Sequence, residues 1–141
     1  MAMSTLPEVL LVDGEPVAGL ELPRHVVPAP LRARCVLATD VASLRAAMDG
    51  PVIAAVIDGR ADPGSGERAV AALRSLPGGA DLPVVLLAPG PARPAWVDAD
   101  LRVDVVLPPH AVSALHARLR LLAGASARVP GDEHAERLRS A

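Results

Sequence analysis

The chain contains no phenylalanine and no tyrosine, and Trp96 is its only aromatic residue. Single-stranded nucleic acids are held largely by bases stacked on aromatic side chains, so that mode of binding has at most one platform here. Formal net charge is −2 and no basic block occurs. The electrostatic footprint of a DNA- or RNA-binding surface is therefore missing, and direct nucleic-acid binding is not expected. Cys35 is the only cysteine. One thiol excludes an intrachain disulfide and argues against a cysteine-built zinc site. Within RCVLAT, Cys35 reads as a small core residue. No apolar run approaches the roughly 20 residues of a membrane helix. The start, MAMSTLPEV, lacks the charged head and apolar stretch of a secretory signal. These absences lead to the expectation of a cytoplasmic protein with no membrane contact.

What is present suits one domain: 141 residues, 51% of them hydrophobic, with a core built from Val, Leu, Ala and Ile. Five short apolar runs recur, at Glu8–Val12, Cys35–Ala38, Val52–Ile57, Pro83–Ala88 and Val103–Leu107. Each is too short for an ordinary helix and nearly uniformly apolar, the pattern of a parallel strand covered on both faces. Helical patterns lie between them. Asp40 is an N-cap for a helix to Met48 that puts Val41, Leu44, Ala47 and Met48 on one side. Gly66–Leu76 aligns Val70, Leu73 and Leu76. Ala111–Ala123 aligns Val112, Leu115, Leu119 and Leu122, with Gly124 as C-cap. The alternation predicts an α/β domain with a parallel sheet. Prolines 16, 23, 28 and 30 leave room for only a short helical piece near Pro16–Leu22. PARPAWVDADL permits a short helix from Pro94. The expected organisation is a disordered N-terminus over 1–7, a folded domain over 8–124 and a flexible tail over 125–141.

The run PVIAAVID ends on Asp58, followed by a turn at Gly59-Arg60. In an open parallel sheet, sites form beyond the carboxyl ends of strands. Asp13 ends the first run and Asp58 the third, so the two carboxylates could share a pocket. VDGE and IDGRADPGSG resemble the acidic turn and phosphoacceptor turn of response-regulator receiver domains, over about Glu8–Gly124. The resemblance implies a doubly wound five-stranded parallel sheet in the order 2-1-3-4-5, a flavodoxin/CheY-like three-layer sandwich. It places Asp58 at the acceptor position and Gly66 at a matching glycine. An active receiver also needs a divalent cation held by carboxylates, a hydroxyl and a lysine around the phosphoryl group. Three positions depart. Gly14 replaces the second acidic residue, Ala88 the Ser or Thr, and Pro108 the lysine of the Lys-Pro pair. The resemblance thus implies a vestigial pocket of Asp13, Asp58, Arg60, Ala88 and Pro108, with no catalysis, no required cofactor and at most weak Mg²⁺ binding at Asp13 and Asp58. Arg60, two residues beyond Asp58, is positioned to fold back as a bidentate counter-charge.

AAVIDGRAD, VVLPPH and HARLRLLAG further resemble the receiver of actinobacterial nitrogen-control regulators (GlnR-type), atypical members of the winged-helix (OmpR) class. That resemblance implies a module that homodimerises without phosphorylation, in signal transduction to transcription. Its implied partners are a second copy and a DNA-binding output domain or regulator outside this sequence. The implied dimer face is the fourth helix, fifth strand and fifth helix. On it, Trp96 is either an interface anchor or a core cap, and Asp98, Asp100 and Asp104 face Arg118 and Arg120 across a two-fold axis. Two other readings remain: a Mg²⁺-dependent switch phosphorylated on Asp58, or a sensor binding a small effector at the vestigial pocket. The four histidines, His25, His110, His116 and His134, have no metal-site spacing. His110 is expected to start the last helix. DPGSGE reads as a plain turn, not a phosphate loop.

Overall fold

A computed structural model describes residues 6–12, 27–60, 64–100 and 102–127. Strands β1 (Glu8–Val12), β2 (Arg32–Val36), β3 (Val52–Asp58), β4 (Val84–Leu87) and β5 (Val103–Val106) form one parallel sheet in the order 2-1-3-4-5. Helices α1 (Val41–Met48), α2 (Ser65–Arg74) and α3 (Val112–Ala127) and a 3₁₀ turn at Ala95–Ala99 complete the described elements. This is the expected α/β architecture, with a flavodoxin/CheY-like layout.

The near-continuous apolar runs are explained by two cores, one on each face of the sheet. Successive strand side chains point to opposite faces. Leu10, Val12, Ala55, Ile57, Val84 and Leu86 pack with Leu44 of α1 and Leu73 of α2. Their neighbours Val9, Leu11, Ala54, Val56, Val85 and Leu87 pack with Leu115 and Leu119 of α3. A central strand must therefore be apolar at every position. The pairing of Val12 with Ile57, of Asp58 with Leu87, and of Leu87 with Val106 aligns the carboxyl ends of β1, β3, β4 and β5.

Helix α1 starts as expected: the Asp40 carboxylate accepts from the Ser43 N–H at 3.1 Å and the Ser43 hydroxyl at 2.7 Å. These bonds hold Asp40 below its ordinary pKa.

Several expectations are corrected. The second strand begins at Arg32, three residues before the apolar run, and ends at Val36. It is one of the two edges of the sheet, next to β1 alone, and an edge strand carries polar residues that a central one would not. Cys35 is exposed there and is not a core residue. Val41 and Val112, at the first positions of α1 and α3, are exposed, while Leu44, Leu115 and Leu119 are buried. Gly124 does not stop α3, which runs on to Ala127; a helix absorbs one glycine at about 1 kcal/mol. At the other end, the Pro7 carbonyl already accepts from the Arg32 N–H at 2.9 Å, so the frame includes part of the 1–7 segment. The short helix near Pro94 is a 3₁₀ turn. The helical piece expected at Pro16–Leu22, and the tail beyond Ala127, lie outside the described residues.

Candidate functional site

Asp58 is the last residue of β3, and its side chain is only 2% exposed. Gly59 then turns the chain against β4. Its N–H donates to the Leu87 carbonyl at 3.0 Å, and a Cβ at Gly59 would lie 2.8 Å from that same oxygen. Only glycine allows this approach, which directs the next residue back over the strand end. Arg60 follows and closes on Asp58. Its Nε donates to Oδ1 at 2.8 Å, its Nη2 to Oδ2 at 2.8 Å, and its backbone N–H to Oδ1 at 3.0 Å. The fork geometry of guanidinium on carboxylate makes this a strong charge-assisted pair. Both Asp58 oxygens are engaged, with the Arg60 side chain above them 29% exposed.

Around the pair, the described residues just beyond β4 and β5 are Ala88 and Pro108, with neither a hydroxyl nor an ammonium. Ala88 follows β4, is fully buried and belongs to the core on the α1–α2 side. Pro108, beyond β5, is exposed. The sequence contains no lysine at all. The structure thus brings Asp58 and Arg60 together, with Ala88 at the adjacent strand end. Asp13 lies outside the described residues. No group of three or more His, Cys, Asp or Glu able to hold a metal occurs among the described residues. Both Asp58 oxygens are bound to Arg60, and Asp13, its expected partner in weak Mg²⁺ binding, lies outside the described residues.

His110 departs from its expected place. Helix α3 starts at Val112, and His110 precedes it with φ 54°, a left-handed conformation uncommon for a residue with a side chain. This turn carries the imidazole Nε2 to 2.8 Å from the Ala88 carbonyl. A side chain from the β5–α3 loop therefore ties down the end of β4, next to Ala88.

On the face formed by the 3₁₀ turn, β5 and α3, the expected residues separate. Trp96 packs against the core on the α1–α2 side, with its ring edge near Gly66. Its Nε1 is buried, with no hydrogen-bond partner among the described residues. Asp104 and Arg118 meet within one chain, Nε to Oδ2 at 2.8 Å, and Asp98 pairs with Arg93 at 3.1 Å. At about 100° per residue, Arg118 and Arg120 are about 200° apart around α3. They point to different flanks, and Arg118 is the one beside β5. Asp100 is bound within the chain by Arg74, Nε to Oδ2 at 2.9 Å. Arg74 also donates to the Gly79 carbonyl at 2.8 Å and to the Leu82 carbonyl. The Arg74 hydrogen bond, opposed in part by burial, holds Asp100 below its ordinary pKa. Twenty-six residues separate Arg74 from Asp100, and no local pattern announced the contact.

Among the described residues, no helix is long and apolar enough to cross a membrane. Compared with known proteins, the chain matches no family model and no curated protein.

Proposed function

We propose that this chain is a receiver-like module whose phosphoacceptor site has become a structural lock. In this reading it is a non-catalytic, cytoplasmic protein that acts in transcriptional control through protein–protein contacts, chiefly with a second copy of itself. The observation that carries the reading is the bidentate Arg60–Asp58 pair, which occupies both oxygens of the one carboxylate that could attack a phosphoryl group. Ala88 and Pro108 supply neither hydroxyl nor ammonium, so the side-chain donors that an active receiver uses at those two positions to stabilise a transferring group are missing.

The surface formed by β5 and α3 supports the choice of partner. Leu121 is 75% exposed there. Asp98 and Asp104 lie on the same side as Arg93, Arg102 and Arg118, a mixture of signs that can pair with itself about a two-fold axis. Trp96 faces the core, so Leu121 is the apolar anchor of this proposal. Ala117 is exposed and, four residues before Leu121, shares its side of the helix.

Light scattering after size exclusion tests the reading. The expected result is a dimer mass that acetyl phosphate does not change, and a monomer for Ala117→Arg. A monomer at every concentration, or a dimer formed only with acetyl phosphate, would overturn it.

A further inference from the structure

At the other end of the strands from Asp58, a cavity of about 390 Å³ opens between the amino ends of β4 and β5 and the last turns of α3. Its apolar lining comes from Val84 and Val103 on the strands and from Leu121 and Leu122 on α3. Three guanidiniums, of Arg93, Arg102 and Arg118, join that lining, with Asp104 as the only acid. The chain as a whole carries a net charge of −2, so this concentration of positive charge is local. Arg118 is oriented by Asp104 at 2.8 Å and by the Ala114 carbonyl at 3.3 Å. Arg93 is oriented by Asp98. Arg102 is different: its backbone N–H donates to Asp100, but its guanidinium has no partner among the described residues. An unpaired planar cation beside an apolar hollow is suited to an anion that brings its own hydrophobic body. Low-dielectric walls strengthen the attraction.

We propose that this cavity binds a small organic anion, a carboxylate or phosphate monoester carried on a compact apolar group. The volume is within the usual range for small-molecule sites, roughly 300–1,000 Å³. The head group would bridge Arg102 and Arg118, and the apolar body would lie on Val84, Val103 and Leu122. One chain builds the whole site, so the proposal does not require self-association, although the site opens on the face assigned to the second copy.

The test is a set of amide chemical-shift titrations with four probes: phenyl phosphate, phenylacetate, benzyl alcohol and inorganic phosphate. Wild-type protein and Ala117→Arg are both titrated, because the latter uncovers the cavity if a second copy hides it. The expected result is saturable shifts clustered at Val103–Asp104 and Arg118–Leu122 with one or both aromatic anions in at least one of the two proteins. The tighter anion identifies the head group. Arg102→Ala, an exposed substitution that keeps the backbone bond to Asp100, should weaken binding about tenfold or more, the loss typical of one charge-assisted hydrogen bond. No clustered shifts in either protein would overturn the site. So would equal binding of benzyl alcohol, equal binding of inorganic phosphate, or an affinity unchanged by Arg102→Ala.

Discussion

Replacing Arg60 by methionine keeps an apolar stem of similar length and removes the charge above Asp58. In the native fold the Asp58 side chain is only 2% exposed, with Arg60 as part of its cover. In the variant the carboxylate keeps one donor, the Arg60 backbone N–H at 3.0 Å, and loses two side-chain donors at 2.8 Å. Breaking a buried ion pair from one side costs about 3–5 kcal/mol. Arg60 itself is 29% exposed, so water can enter where it stood and offset part of the loss. We therefore expect Arg60→Met to destabilise by about 2–4 kcal/mol, a fall in Tm of about 6–12 °C for a domain of this size. Asp58→Ala should cost much less, about 1 kcal/mol, because the released guanidinium can turn into water while no charge stays buried. The double variant should resemble Asp58→Ala alone. Urea unfolding followed by Trp96 fluorescence measures all three, since Trp96 is the only aromatic residue and packs against the core. The reasoning is refuted if Arg60→Met loses less than about 0.5 kcal/mol, or no more than Asp58→Ala does.

Other substitutions test the supporting framework. Arg74→Met should cost about 2–3 kcal/mol in the same unfolding assay, because it removes the links from α2 to Asp100 and to two loop carbonyls. The Arg74 hydrogen bond lowers the folded pKa of Asp100 from 3.8, so its contribution is complete above the unfolded value and is lost as pH falls through the folded one. The stability gap between wild type and Arg74→Met should therefore narrow below about pH 4, read by urea midpoints at stepped pH. Gly79→Ala should destabilise by more than about 3 kcal/mol, since its Cβ would lie 1.8 Å from the Leu73 carbonyl oxygen, a clash that only backbone movement relieves. His110→Ala should cost about 1–2 kcal/mol by losing the bond to the Ala88 carbonyl, and His110→Gly should cost less by some tenths because glycine tolerates φ 54°. Thermal melts of the pair check that order.

The central strands were legible in the sequence because both of their faces are covered, which leaves an uninterrupted apolar run. Edge strand β2 was not. Its Arg32, Arg34 and Cys35 are exposed, so RARCV lacks the uniform apolar pattern that marks a strand covered on both faces. The Arg60–Asp58 contact was readable because two residues across a tight turn leave the guanidinium few directions. The Arg74–Asp100 clamp and the His110–Ala88 bond were not readable. Both join segments more than 20 residues apart, and their geometry depends on the assembled sheet. The same holds for the cavity at Arg93, Arg102 and Arg118: its residues come from separate segments around β4, β5 and α3, and each arginine alone reads as a solvated surface charge.

The central claim is that Asp58 is a strut and not an acceptor. Intact-mass spectrometry after incubation with acetyl phosphate and Mg²⁺, with Asp58→Ala as control, tests it most directly. The account predicts no phosphoryl mass gain in the wild-type protein. A gain that appears in the wild type and vanishes in Asp58→Ala would contradict it and make the Arg60 pair a gate that opens.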